Sequence, residues 1–442
     1  MRRFIKLMIY VFSVFCFSQE SDILDFSLLR QNDNIKMDSP DSFYKKLKQI
    51  QLSETTILSF GGSYRFQTEA FINEQFDTSM DQTDYWFLNR FQLHSHLKVA
   101  NKFEFFAELN SSLITSKTNL VPVDRDELSF NQLFAKYRFN QNWNLLVGRQ
   151  NVRLGSGRLV DVREGPNVRL SFDMAQLQYT DENTTVTAFH AIPVQQQEGI
   201  FDNDALEDNE TLSALYWTQN WTAKTNTDIY LLYKTEDNKT WNLGTADDKR
   251  ASFGVRHFGK WKGLNYNNEF VYQFGTFGDA NINAWTISFN IEKPLSFGTI
   301  GLKTEAISGD NNSTSSLNTF DGLYPRGAYF GRVARFGPSN LIDFHPYFDT
   351  KLGAIILEID YVAFWRFSTD DGVYGPPLIL DYPSVNNERF IGNQIGVIAS
   401  YEFNRHLNFE LESNVIFPGA FLEESGLGDT LYHFVFTTEL KL

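Results

Sequence analysis

Residues 285–292 read Trp-Thr-Ile-Ser-Phe-Asn-Ile-Glu, in which apolar and polar side chains alternate without a break. Because successive side chains of a β-strand point to opposite faces of its sheet, this pattern predicts a strand with one apolar and one polar face. The same two-residue period recurs in residues 58–67, 355–363 and 407–415. The chain is therefore predicted to be all-β from about residue 56 onward.

Eighteen segments of this kind cover the chain from residue 56 to residue 442. Many of them are ten to fourteen residues long, which exceeds the roughly five or six residues usual in soluble proteins and is enough to cross a bilayer at a tilt. The segments begin near residues 56, 83, 102, 127, 142, 169, 183, 209, 226, 249, 264, 283, 298, 341, 354, 389, 406 and 430.

The lengths of the connections alternate as well. Connections after even-numbered segments are short and polar, such as 100–102, 140–141, 181–183 and 404–405. Most connections after odd-numbered segments are long, namely 73–82, 115–126, 153–168, 195–208, 309–340, 368–388 and 418–429. This sorting is typical of an outer-membrane barrel, with short periplasmic turns and long extracellular loops. We therefore predict a transmembrane antiparallel up-and-down β-barrel of about 18 strands, with both termini in the periplasm.

The composition agrees with a barrel and excludes other classes. Aromatic residues make up 16% of the 442 residues. No uncharged apolar run of 18 residues occurs, so helices that span a membrane are not expected. The formal net charge of −15 argues against a nucleic-acid partner. The last segment alternates like the others but ends in Leu442, where an aromatic residue is usual.

The N-terminus has the parts of a secretory signal. A basic region precedes an apolar stretch from Leu7 to Phe17, and small residues before Gln19 permit cleavage. We predict that residues 1–18 are removed, which would also remove Cys16, the one cysteine of the chain.

The predicted mature chain has two parts. Residues 19–55 are predicted to form a periplasmic N-terminal segment, and residues 56–442 the barrel in the outer membrane. The composition of residues 19–55 leaves two roles open, since the segment would either dock a periplasmic secretion partner or occupy the mouth of the barrel.

A barrel of this size leaves an aqueous lumen, whereas smaller barrels are filled by side chains. Alternation assigns a polar and charged set of side chains to the inward face, and a lumen of that kind predicts a pore. The set comprises Arg65, Glu69, Arg90, His94, His96, Glu104, Glu108, Arg256, Glu269, Lys303, Glu305, Glu358, Asp360 and Arg366.

Two arginine-rich segments interrupt the acidic chain. Residues 149–169 hold five arginines against two acids, and residues 324–335 hold three arginines and no acid. Guanidinium groups bind carboxylates through paired hydrogen bonds, so both segments favour a solute that carries carboxylates. The alternative is that these arginines pair with lumenal acids and brace the barrel. The candidate pore-lining residues are Arg149, Arg153, Arg158, Asp161, Arg169, Arg326 and Arg332.

Arg149 presents a conflict of register. Alternation from Trp143 through Val147 would direct Arg149 outward into lipid, where an arginine costs about 2–4 kcal/mol. A β-bulge would turn it inward instead.

Several motifs in this region resemble the alginate export family of outer-membrane barrels. The resemblance implies an 18-stranded barrel through which an acidic polysaccharide leaves the cell by way of an arginine-lined constriction. It also implies that Arg149, Asp161 and Arg169 line the pore, together with Arg326 and Arg332, but it does not identify the polymer. The motifs are Gly148-Arg149-Gln150, residues 155–161, residues 169–173, residues 323–331 and residues 340–346.

No motif for catalysis or for a cofactor emerges. His94 and His96 share one strand face and would serve either as a metal pair or as solvated lumenal side chains, and the second reading is preferred because no cysteine accompanies them. Residues 155–157, Gly-Ser-Gly, lack the strand-to-helix context of a phosphate loop and are predicted to lie in a flexible extracellular loop.

The sequence therefore predicts a passive outer-membrane channel that exports an alginate-like polyuronate, with no enzymatic activity, no metal and no cofactor. One alternative is a porin for uptake of anions or acidic oligosaccharides. Another is a structural or adhesive barrel plugged by residues 309–340. The expected partners are outer-membrane lipid, lipopolysaccharide, the anionic polysaccharide and a periplasmic secretion partner.

Overall fold

The computed structural model describes residues 23–36, 42–77, 83–204, 209–311 and 313–442. Within these residues, eighteen long antiparallel strands form one closed barrel, which confirms the predicted fold class. The predicted signal peptide lies outside the described residues. In chain order the strands are β1 Thr56–Ile72, β2 Thr83–Val99, β3 Phe103–Thr115, β4 Asp126–Arg138, β5 Trp143–Gln150, β6 Phe172–Thr180, β7 Thr184–Pro193, β8 Glu210–Thr222, β9 Thr225–Trp241, β10 Gly244–Trp261, β11 Leu264–Phe277, β12 Ala280–Leu295, β13 Gly298–Ile307, β14 Leu341–Leu352, β15 Ile355–Arg366, β16 Phe390–Glu402, β17 Leu407–Pro418 and β18 Leu431–Lys441.

The barrel closes where β1 meets β18. The two strands pair antiparallel from Ile72 opposite Tyr432 to Ser63 opposite Lys441, while the other edge of β1 pairs with β2. Closure leaves no edge of the wall unpaired, and in a bilayer unpaired backbone groups have no water to bond. We refer to the β1–β18 pairing as the seam.

The two rims of the barrel differ as the connection lengths predicted. Each even-numbered strand from β2 to β16 is followed by a turn of two to four residues, and all of these turns lie at one end, the short rim. The long connections lie at the other end, the long rim. The connections after β9 and β11 are exceptions there, since residues 242–243 and 278–279 form two-residue turns.

The two faces of the wall also follow the alternation. Large apolar side chains stand exposed around the outer face, for example Leu93, Leu215, Phe270, Ile300 and Leu411. The charged set that alternation assigned to the inside lies on the inward face, and many of its members are buried there. An apolar outer face around a polar interior is the arrangement that a lipid environment requires.

Helices and short strands form a small remainder. In the part of the chain that the structure describes, the helices are α1 Phe43–Lys48 and α2 Ala420–Glu424, with one 3-10 turn at Arg30–Asn32. Among the described residues, no helix is long and apolar enough to cross a membrane. The short strands are Ile23–Asp25, Asn34–Lys36, Ile50–Ser53, Ser316–Leu317, Val373–Tyr374 and Leu380–Tyr382.

The described part of the N-terminal segment packs against the seam at the short rim. Arg30 donates hydrogen bonds to the carbonyl oxygens of Gly62 (3.1 Å) and Leu442 (3.0 Å), and Asp33 holds its Nε at 3.0 Å. Lys48 Nζ donates to the carbonyl of Phe60 at 2.9 Å. These bonds hold the described residues of the segment against the short rim.

Two long connections fold into the lumen, so residues 155–157 do not form the flexible extracellular loop that was predicted. Within residues 151–171, Arg158 contacts β11 and β13, whereas Glu164 contacts β1 and β2 on the opposite side of the barrel. The segment therefore crosses the lumen. Residues 308–340 join it, since Asp161 N donates to Tyr324 O (3.0 Å) and Tyr324 N donates to Leu159 O (2.8 Å). We call these two stretches the inner segments.

Replacing Arg30 tests whether the N-terminal segment stabilises the seam. Hydrogen bonds to a charged group contribute roughly 1.5–3 kcal/mol, and about 1.4 kcal/mol corresponds to a tenfold change in an equilibrium constant. We therefore expect Arg30→Ala to accelerate amide hydrogen exchange at Gly62 and Leu442 at least tenfold. Arg30→Lys keeps the charge but loses the forked donor, so its exchange rates should lie between those of the native chain and Arg30→Ala. Unchanged hydrogen exchange at Gly62 and Leu442 in Arg30→Ala would refute a role of Arg30 in stabilising the seam.

The docking of this segment should strengthen as pH rises above about 8. Burial, aided by the charge of Arg30, lowers the pKa of the Lys48 ammonium to about 8 from 10.5, so docking releases a proton in this interval and becomes more favourable with pH. Above pH 10.0 the trend should reverse, because burial raises the pKa of Tyr44 in the docked segment. The rate of limited proteolysis within residues 23–53, followed at several pH values, measures how firmly the segment is docked. Lys48→Met should abolish the increase in docking above about pH 8.

Candidate functional site

Arg158 fastens the first inner segment to the wall. Its Nε lies 3.0 Å from Glu269 Oε2 on β11, and its Nη1 contacts Glu305 on β13 and the Tyr329 hydroxyl. Tyr230 donates to the other oxygen of Glu269 at 2.7 Å. The guanidinium charge is therefore balanced by two buried carboxylates, so this predicted pore residue acts as a brace, which is the alternative the sequence left open.

Arg332 fastens the second inner segment in the same way. Its guanidinium contacts Glu410 at 2.5 Å and Glu412 at 3.4 Å, both on β17. It also donates to Gln67 Oε1 at 3.2 Å and to Thr437 Oγ1 at 2.9 Å, which extends the contact across the seam. Arg332 lies in the lumen but is fully engaged with the wall.

Arg169 belongs to a cluster that the sequence analysis did not assemble. Its Nε contacts the Glu164 carboxylate, which Arg90 Nη2 also contacts and from which Arg65 Nη1 lies 3.7 Å away. The three arginines are buried, while the Glu164 side chain is 35% exposed. Burial acts to raise the pKa of Glu164, but Arg169, Arg90 and Arg65 hold it well below its usual range. We call these four residues the carboxylate clasp.

Register explains why the clasp was missed. Arg65 and Arg90 were both assigned to the inward face, but neither was selected as a site residue. They face each other across β1 and β2 as Cα partners, a relation that neither strand shows by itself. Glu164 comes from the inner segment, and nothing local in its sequence indicates that it turns toward β1.

Arg153 and Arg326 are the predicted arginines that remain accessible in the lumen. The Arg153 side chain is 41% exposed and lies 3.4 Å from the buried Asp161. Arg326 is exposed, stacks over the Tyr329 ring at 5.5 Å, and makes no ion pair within 4.0 Å to any carboxylate of the described residues. Because Arg326 N donates to Gly157 O at 3.3 Å, the contact between the inner segments positions it.

Arg149 does not line the pore, and the expectation that it does is wrong. Its register with β4 and β6 runs without a bulge, so Arg149 faces outward with Val147, which is 52% exposed. Both Nε and Nη2 bind the carboxylate of Asp173 at 2.8 Å. This neutral pair lines an outward cavity of about 780 Å³ next to Phe130 and Phe201. Pairing with Asp173 offsets the penalty of an arginine near lipid.

A small polar cavity lies beside Arg326. It has a volume of about 110 Å³ and is lined by groups of both signs, including Arg158, Lys303, Asp343 and His345. The cavity extends the accessible surface around Arg326 toward β13 and β14.

No metal site is apparent in the described part of the chain. His94 Nδ1 lies 3.8 Å from Glu108, and His96 Nε2 lies 3.6 Å from Glu104. Among the described residues, no three side chains of the types that bind metals come together. The two histidines face the lumen beside these carboxylates but are buried, not solvated as the second reading expected.

Comparison with solved structures supports the architecture. Pseudomonas aeruginosa OccK5 (OpdH) aligns with a TM-score of 0.58 at 11% identity, covering 87% of this chain and 98% of that chain. Acinetobacter baumannii OccAB4 aligns with a TM-score of 0.59 at 11% identity, with the same coverage. Pseudomonas aeruginosa OpdK, solved with vanillate, gives 0.59 at 10% identity and again 87% and 98% coverage. Similarity at this identity shows the fold.

Comparison of sequences gives the family. No curated protein sequence matches the chain. The sequence model for alginate export, however, matches residues 56–436, which is nearly the whole barrel. Together with the barrel architecture, this match points to a channel of the outer membrane and confirms the resemblance carried by the arginine-rich motifs. The chain belongs to the alginate export family.

Proposed function

We propose that this protein is a passive outer-membrane channel through which an anionic, alginate-like polysaccharide is exported past lumenal arginines. The observation that carries the proposal is the state of Arg326. It is exposed in the lumen on a segment that the wall holds in place, and no carboxylate of the described residues neutralises it. A fixed, uncompensated cation inside a barrel raises the local concentration of anions.

The surrounding arginines set how such a solute is held. Arg158 and Arg332 are bound to wall carboxylates and keep the inner segments in place. Arg153, half-exposed beside Asp161, adds a second accessible cation near Arg326. Conduction requires contacts strong enough to admit an anion and weak enough to release it. One guanidinium that makes no ion pair among the described residues and one partly balanced guanidinium meet that requirement better than a row of unpaired arginines.

The sidedness of the channel follows the usual arrangement of such barrels. We assign the short rim to the periplasm and the long rim to the cell exterior. The N-terminal segment and the end of β18 would then both lie on the periplasmic side, where a secretion partner can reach residues 23–53. Lipid and lipopolysaccharide would surround the outer face.

Uptake is supported equally well as a function. A passive pore has no direction of its own, so the same lumenal cations would admit acidic oligosaccharides or small anions from outside. OpdK, one of the barrels of similar fold, was solved with vanillate, which is a carboxylate. Export and uptake differ in the gradient and the partners, which the barrel itself does not encode.

A plugged barrel is the competing class. The inner segments cross the lumen and share a buried apolar cluster that includes Val160, Phe320 and Leu323. If they close the lumen completely, the barrel has a structural or adhesive role and conducts no ions.

Single-channel recording on the refolded chain without residues 1–18 separates these functions. In a planar bilayer with a KCl gradient, we expect discrete openings, a reversal potential that indicates anion preference, and reversible block by oligogalacturonate. Absence of conductance would establish the plugged class. An open pore that prefers cations would retain the channel but refute the role of the arginines.

Neutralising Arg326 tests the accessible cation directly. We expect Arg326→Gln to lower the chloride-to-potassium permeability ratio about threefold, a factor that corresponds to roughly 0.7 kcal/mol, and to do so most clearly at low salt. Lys224→Gln is the matched control, because it removes the same charge from an exposed turn of the short rim. Equal effects of the two variants would show that net charge, not the lumenal position, sets selectivity.

A further inference from the structure

Three arginines in the carboxylate clasp share one carboxylate. Arg65 and Arg90 stand directly opposite each other on β1 and β2, and Arg169 approaches from the inner segment. Like charges directly opposite in a sheet destabilise it, and buried charges without partners are costly. Among the described residues, Glu164 is the one carboxylate in ion-pair contact with these three guanidinium groups, so the cluster carries a net charge of +2.

Other charged groups surround the clasp without completing it. Glu439, the Cα partner of Arg65 on β18, bonds Lys441 at 3.2 Å, and Glu108 bonds Asn131 at 2.6 Å. Arg332 adds a further positive charge near Arg65. Among the described residues, neither Glu439 nor Glu108 comes within ion-pair distance of a clasp arginine.

The hydrogen bonds of the clasp are also incomplete. Arg65 donates to the backbone oxygens of Glu164 (2.7 Å) and Pro166 (3.0 Å). The Nε groups of Arg65 and Arg90 are buried and have no hydrogen-bond partner among the described residues. A planar guanidinium offers five donors, so the three arginines present more donors than one carboxylate can accept.

Glu164 is held by a strained and accessible turn. The preceding residue, Arg163, has φ of 56°, the left-handed region that a side chain disfavours. The turn rests against the second inner segment, because a Cβ on Gly165 would lie 3.7 Å from Ala328 and a Cβ on Gly327 would lie 2.6 Å from Pro166. Glu164 is thus the accessible member of the clasp, at the junction of the two inner segments.

We propose that Arg65, Arg90 and Arg169 form a binding site for a carboxylate of the solute, and that Glu164 occupies this site as an internal substitute when no solute is present. A solute carboxylate would exchange with Glu164, release the strained turn at Arg163 and loosen the contact between the inner segments. Exchange of one carboxylate for another conserves charge, so a buried arginine is never left without a partner. This inference rests on the proposed function only for the identity of the solute.

Chemical rescue of Glu164→Ala tests the site without requiring conduction. The variant leaves three buried guanidinium groups without their carboxylate and a space next to them. We expect trypsin to cleave the refolded variant within residues 151–171 at least tenfold faster than it cleaves the native chain. Sodium acetate should restore the resistance to trypsin, and its effect should saturate with concentration. Sodium chloride at equal ionic strength and neutral acetamide should not restore it.

Glu269→Ala is the matched control for this rescue. It removes another lumenal carboxylate that contacts an arginine, but Arg158 keeps Glu305. Acetate should therefore give no specific protection in Glu269→Ala. Equal rescue of both variants by acetate, or equal rescue of Glu164→Ala by chloride, would overturn the proposal.

Glu164→Gln keeps the test decisive if Glu164→Ala does not fold. Glutamine has the shape of glutamate but lacks its charge, so the internal competitor is weakened while the turn is filled. A ligand that must displace a competitor binds with an affinity reduced by the fraction of sites that are free. We expect galacturonate to change the rate of tryptic cleavage within residues 151–171 of Glu164→Gln with a half-maximal concentration about tenfold lower than in the native chain. Equal half-maximal concentrations in the two proteins would refute the exchange of a solute carboxylate with Glu164.

The two proposals fail separately. Rescue by acetate in a barrel that carries no current would remove the channel function and keep the carboxylate site. An open anion-preferring channel in which neither Glu164 variant responds to carboxylates would keep the channel and remove the exchange.

Discussion

The structure depends on the requirement that every backbone hydrogen bond of a sheet in lipid be made within the protein. Eighteen strands meet this requirement by closing at the β1–β18 seam. Closure at that strand number has a second consequence, since side chains of the wall cannot fill so wide an interior. The chain fills part of it with residues 151–171 and 308–340, so the character of the lumen is set by these segments as much as by the wall.

The inner segments carry most of the arginines that stand out in the sequence, and their fates differ. Arg158 and Arg332 are neutralised by wall carboxylates and anchor the segments. Arg326 remains exposed and without an ion pair among the described residues, while Arg169 joins Arg65 and Arg90 around Glu164. An arginine-rich stretch is therefore not a uniform filter. Its members divide between fastening the chain and facing the solute, and only their partners distinguish the two roles.

Arg149 shows how a local rule and a family motif disagree. The resemblance to the alginate export family implied a pore-lining position, whereas strand alternation pointed outward. The structure follows alternation, because the pairing of β5 with β4 and β6 continues through Arg149 without a bulge. Asp173, its Cα partner on β6, balances the charge. At residues 153–168 the local pattern was the wrong guide, because length and polarity predicted an external loop whereas the chain folds into the lumen.

The sequence by itself determined the strands, their number, the sorting of connection lengths and the identity of the inward faces. These follow from a two-residue period and from turn lengths, which are properties of neighbouring residues. Only the tertiary structure decided which charges meet. Arg65 and Arg90 are 25 residues apart, and Glu164 is 74 residues beyond Arg90. Their meeting depends on strand register and on the inward fold of residues 151–171, and contacts between distant parts of the chain leave no local pattern in the sequence.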